Sequence, residues 1–144
     1  MRANDKIVTT HWSLTDSEFR KQFSECTFHP DLFSHEAHLR IAWILINELG
    51  IKEAVNEIRK QLQNFAKHHN GMDKYHDTVT IAAVKIMSHY MNLSATTNFE
   101  SYIEENSELI TNFKGLLESH YSFNVFVSEK AKKTYIEPDL CLFS

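Results

Sequence analysis

Glycine and proline are scarce in this chain, three and two among 144 residues, so it lacks the turn formers that a many-stranded sheet would need. That scarcity favours long helices. Only two cysteines occur, Cys26 and Cys141, too few for a disulfide framework and too distant in sequence for a CxxC pair. A reduced, cytoplasmic compartment is the expected setting, with a single bridge between the two left open. No apolar run approaches the length that spans a bilayer, and the longest, Ile41 to Ile46, reads as a core segment. The start, Met1 to Lys6, has no uninterrupted apolar stretch of the kind that directs secretion, so no leader is expected there.

An excess of positive charge is missing as well. The formal net charge is −4, and lysines and arginines are scattered among acids, which argues against a phosphate-neutralising stripe. Neither nucleic acid nor membrane is an expected partner. At this length one domain over residues 1–144 can bury a sizeable core without disulfide or metal staples.

The helices can be read from caps and apolar spacing. Thr15 to Glu18 has the form of a capping box, opening a short helix to about Phe23. Ser34 is a good N-cap for a helix to about Leu49, ended by Gly50, with His35, His38, Leu39, Ala42, Leu45, Ile46 and Leu49 on one stripe. A second long helix, about Lys52 to His69, turns Val55, Ile58, Leu62, Phe65 and His69 inward before Asn70-Gly71 stops it. A third is expected from about Asp73 to Met91, with His76, Val79, Thr80, Ala83, Met87 and Tyr90 inward. Asn98 caps a fourth, to about His120, with Phe99, Tyr102, Ile103, Asn106, Leu109, Ile110, Phe113, Leu116 and Leu117 inward, and Ser128 a short last one, Glu129 to Tyr135. The expected fold is all-α, a single-domain antiparallel bundle of four to six helices.

Against this ordinary background nine histidines stand out. His35 and His38 are three apart, so on a helix they project from adjacent turns and can converge on one ion. His76 sits in the first inward turn of its own expected helix. Short connections make neighbouring helices antiparallel, which brings both first turns to the same end of the bundle. The three imidazoles are therefore the candidate metal ligands, with a coordination position open for water, dioxygen or substrate. Each has a plainer reading as a core or boundary histidine, and together they also suit acid–base work without metal.

Ligating imidazoles usually hand their second N–H to a carboxylate or carbonyl, and Glu36, Asp77, Tyr75 and Thr80 are the nearby groups for that role. Tyr75, Thr80 and Glu36 are the candidate catalytic residues. Thr80 has a structural alternative, a bond back to the His76 carbonyl. Arg40, one turn beyond Glu36, reads either as its i, i+4 partner on a solvated face or as a clamp for an anionic substrate. The remaining histidines read as surface or boundary residues, with His29 and His120 as reserve ligands. The apolar tail residues Leu140, Leu142 and Phe143 give the C-terminus a reason to dock, which would hold Glu137 or Asp139 over the bundle mouth.

The runs Ser34-His-Glu-Ala-His-Leu-Arg-Ile-Ala-Trp43 and Lys74-Tyr-His-Asp-Thr-Val-Thr80, with the ending Ser128-Glu-Lys-Ala-Lys132 and Ile136-Glu-Pro-Asp-Leu140, resemble a family of small, functionally uncharacterised bacterial helical proteins. The likeness covers most of the chain. It implies that His35, His38, Tyr75, His76, Thr78, Thr80 and residues 137–139 share one site, without implying an activity. Lys74 stands where that family usually has glycine.

The function expected from these residues is a small metal-dependent enzyme acting on a small organic molecule. Iron or copper would make it an oxidoreductase of the oxygenase type, favoured by a dry aromatic core. Zinc with the same ligands would make it a hydrolase or lyase. A non-enzymatic helical protein that binds a metal or ligand is the third possibility.

Overall fold

The structure, a computed structural model, describes residues 7–143. The first six residues, on which the expectation of no leader rests, lie outside that range. Among the described residues the chain is all-helical, with no strand. Eight α-helices occur: α1 Asp16–Ser24, α2 His35–Leu49, α3 Ile51–His68, α4 Asp77–Asn92, α5 Phe99–Glu105, α6 Glu108–Thr111, α7 Phe113–Glu118 and α8 Glu129–Lys133. None is long and apolar enough to cross a membrane.

The expected caps form where sequence places them. Thr15 accepts the Glu18 N–H at 3.2 Å while the Glu18 carboxylate takes the Thr15 N–H at 2.9 Å. Ser34, Asn98 and Ser128 accept backbone N–H groups from Ala37, Ser101 and Ala131. Gly50, at φ +81°, ends α2 and starts α3 in a single residue, a backbone conformation that a side chain would strain. Helices joined so tightly must fold back on each other, and α2, α3 and α4 pack as a three-helix centre. The middle of α2, Leu39 to Leu45, is buried on nearly every side. Each fully buried Leu, Ile or Phe contributes about 1.5–3 kcal/mol, so this core carries the fold.

The long fourth helix expected from Asn98 to His120 is broken into α5, α6 and α7, raising the helix count above four to six. Asn106 (φ −118°, ψ 51°) and Asn112 (φ −143°, ψ 38°) both leave helical geometry. The Asn106 amide donates to the Tyr102 carbonyl at 3.1 Å, a local bond that competes with the helical ladder. The Asn112 side chain folds into the space that a β carbon on Gly115 would need. Apolar spacing continues through both asparagines, which is why periodicity alone reads the segment as continuous.

Two polar clusters hold the peripheral segments to this centre. At α2, Arg40 is buried, 4% exposed, and does not pair with Glu36 on a solvated face. Its guanidinium donates to the carbonyls of His11 (2.6 Å) and Leu14 (2.9 Å) and to Asp16 (2.9 Å), and lies against the rings of Trp12 and Phe19. Five fixed donors suit it to satisfying an incoming backbone segment. Glu36 accepts instead from His11 Nε2 and Trp12 Nε1, both at 2.6 Å, so His11 is a buried residue rather than a surface one.

At the start of α4, Asp77 is 3% exposed and takes four hydrogen bonds. Arg59 of α3 donates from Nε and Nη2 (3.0 and 3.1 Å), the Tyr75 hydroxyl at 2.7 Å, and the Tyr135 N–H at 3.1 Å. Thr78, fully buried, donates to the Thr134 carbonyl at 3.0 Å and accepts the Ile136 N–H at 3.1 Å. The tail is thereby clamped along α4. Thr78→Val should cost about 2–4 kcal/mol in urea denaturation, because it leaves two buried backbone groups unpaired. Thr80→Val should cost less than about 0.5 kcal/mol, since Thr80 only bonds back to the His76 carbonyl, at 2.7 Å.

Candidate functional site

Where the start of α2, the end of α3 and the start of α4 meet, they enclose a cavity of about 360 Å³. Its depth is apolar, with Leu39, Ile41, Ile58, Leu62, Phe65 and Val84 buried. His35, His38, His69, His76, Lys74, Tyr75 and Thr80 also line it. Val79, Thr80 and Ala83 of the expected α4 stripe border this space and are only partly buried, Val79 and Ala83 packing against the core as well. The size and character are those of a small-molecule site.

The Ser34 cap fixes where α2 begins and so puts His35 and His38 on its first turns. His35 Nε2 donates to the Leu109 carbonyl at 2.9 Å, and the ring lies 4.8 Å from that of Phe113. That bond sets the tautomer and leaves Nδ1 as an acceptor. His38 stacks on Phe33, ring centroids 4.1 Å apart at 29°. No hydrogen bond joins its ring to another of the described residues. One side of the residue is open to the cavity, and the protein packed around the rest of the ring desolvates it. Desolvation, with a smaller contribution from His35, pushes its pKa down to about 4. At neutral pH His38 is an uncharged imidazole with a free lone pair.

His76 behaves differently because α4 begins at Asp77, not near Asp73. His76 is therefore the N-cap rather than an inward residue of the first turn. Its Nδ1 accepts the Val79 N–H at 3.1 Å and its Nε2 donates to the Val125 carbonyl at 2.7 Å. Burial lowers its pKa, so it stays neutral in this role. To ligate an ion it would have to give up one of these bonds. Among the described residues no three His, Cys, Asp or Glu side chains are grouped to hold a metal. The expected ligands His35, His38 and His76 thus share one cavity without forming a ready three-nitrogen site.

Comparison with family models, curated proteins and solved structures finds no match for this chain.

Of the expected catalytic residues, Tyr75 and Thr80 line the cavity and Glu36 does not. Glu36 is committed to His11 and Trp12. The Tyr75 hydroxyl is committed to Asp77, and burial first, then that carboxylate, pushes its pKa up to about 12. The tail also takes another course. Asp139 accepts from the Ser122 N–H and hydroxyl, Glu137 pairs with the Tyr135 hydroxyl at 3.4 Å, and neither borders the cavity. Phe143 docks against His120, whose Nδ1 bonds the Cys141 carbonyl, while Leu140 and Leu142 stay exposed. The reserve ligand His29 caps a single 3-10 turn at the surface. Cys26 and Cys141 are both free thiols.

Sequence reading missed His69, Phe33, Phe113 and Lys74 as wall residues. His69 was within reach of it, four residues after Phe65 on the α3 stripe. Its Nε2 donates to the Cys26 carbonyl at 3.0 Å. Phe113 lies on the apolar spacing of the expected fourth helix, but nothing local shows that the break at Asn112 sets it beside His35.

The His38 shift has a signed consequence for stability. Its folded pKa lies below the ordinary imidazole value of 6.5, so as pH falls the unfolded chain takes up the proton first. Stability from this source is intact above about pH 6.5 and lost progressively down to about pH 4. Burial lowers His11 in the same direction, against the pull of Glu36. Denaturation midpoints measured from pH 7 to pH 4 should therefore fall, and His38→Phe should flatten that fall. An unchanged slope in the variant would mean that His38 titrates normally.

Proposed function

We propose that the protein binds a small, largely apolar organic molecule in the cavity between α2, α3 and α4, with His38 accepting a hydrogen bond or proton from it. The observation that carries this reading is the contrast among the four cavity histidines. His35, His69 and His76 each hold a backbone carbonyl, whereas His38 alone bonds none of the described residues and faces apolar walls. A desolvated neutral imidazole is a poor anchor for structure and a good acceptor for a ligand. Proton transfer to and from the bound molecule is the chemistry such a group can perform.

A second reading keeps the metal-dependent enzyme. His35 has Nδ1 left over from its bond to the Leu109 carbonyl, and His38 offers a free nitrogen on a ring that desolvation keeps neutral, the state that ligation requires. Iron, copper or zinc held there would have two protein nitrogens and several positions left for water and substrate, fitting oxygenase or hydrolase chemistry.

One pair of measurements separates the two. Phenol and toluene differ by a single donor, so the wild type should bind phenol about five- to tenfold more tightly, about 1–1.4 kcal/mol, in ligand-observed NMR titrations. His38→Phe should erase that advantage while retaining toluene. Leu62→Trp, which fills the cavity, should abolish both. An advantage that survives His38→Phe would remove His38 from the site. Stoichiometric metal in tag-free protein, lost in His35→Ala and His38→Ala, would instead favour the second reading.

A further inference from the structure

The wall of the cavity has a sign. Acids outnumber bases 19 to 15 in the chain, yet none of the described residues lining the cavity is Asp or Glu. Its one permanently charged member is Lys74, exposed on the loop between α3 and α4. Among the described residues Lys74, like the other lysines, pairs with no carboxylate. The nearest acids along the chain are accounted for elsewhere. Asp77 is saturated by Arg59, Tyr75 and Tyr135, and Asp73 does not border the cavity.

A second cation reinforces this end of the molecule. Lys132 of α8 donates from Nζ to the carbonyls of Asp73 (2.5 Å) and Tyr75 (2.7 Å), the residues on either side of Lys74. It thereby pins the loop that carries Lys74 and adds its own charge next to it. Lys74 on a wall that carries no carboxylate, with Lys132 behind its loop, disfavours a cationic guest and favours an anionic one.

From this charge pattern we infer that the ligand is an organic acid, its apolar body resting on Leu62, Phe65 and Val84 and its carboxylate at the rim beside Lys74. This rests on the small-molecule reading of the cavity and adds the ligand's charge and orientation to it. A cationic ligand would have no counter-charge on the wall. A neutral one would leave Lys74 without a role in binding.

Three probes with one body and different heads test the inference: 3-phenylpropionate, 3-phenylpropan-1-ol and 3-phenylpropan-1-amine, titrated calorimetrically into the wild-type protein at low salt. The carboxylate should bind at least tenfold more tightly than the amine, with the alcohol between, and the preference should shrink as salt is added. Lys74→Glu should remove or invert the order. Lys52→Glu, the same charge change at the far end of α3, should leave it in place. Equal binding of all three heads, or equal effects of the two substitutions, would overturn the inference while leaving the small-molecule reading intact. Failure of every probe to bind would overturn both.

Discussion

A carboxylate buried at the start of α4 is the constraint around which the rest is arranged. An unpaired Asp77 in this position would be prohibitively costly, so the fold must bring donors to it from every side. It does so with the Arg59 guanidinium from α3, the Tyr75 hydroxyl from the preceding loop and the Tyr135 amide from the tail. The α4 N-terminus, with its own free amides and dipole, favours negative charge there as well. Satisfying one carboxylate thus fixes three segments of chain. The same convergence positions the loop between α3 and α4, whose residues Lys74 and Tyr75 form part of the cavity wall.

This arrangement divides the motif at residues 75–80 by function. His76 and Thr78 spend their polar atoms on backbone, Asp77 on Arg59, Tyr75 and the Tyr135 amide, and Thr80 on the carbonyl one turn back. On the proposed reading they build the cavity and His38 is its reagent. On α2 the division runs the other way. Glu36 and Arg40 turn to the N-terminal segment and fasten it, leaving His38 between them in sequence to face the opposite side. One helix therefore carries a staple on one face and the open imidazole on the other.

Much of this was legible from sequence because it is local. The caps at Thr15, Ser34, Asn98 and Ser128, the stop at Gly50 and the inward spacing of His35, His38 and Thr80 all follow from neighbours within one turn. What escaped is long-range. Nothing near Arg40 announces that its partners are the carbonyls of His11 and Leu14, and nothing near Asp139 announces Ser122. His76 reads as an inward residue because the apolar spacing of α4 extends back through it, whereas the helix begins at Asp77 with that imidazole as its cap. The asparagines at 106 and 112 were passed over because apolar spacing continued through them.

The central claim is that, of the histidines gathered here, His38 is the working group and His76 is structural. A two-bond proton–nitrogen NMR correlation on histidine-labelled protein at pH 6 tests it directly. His76 should show a single Nε2–H tautomer, unchanged by phenol, while the ring nitrogens of His38 should be neutral and should shift as phenol is added. Shifts at His76 with His38 unmoved would contradict the account.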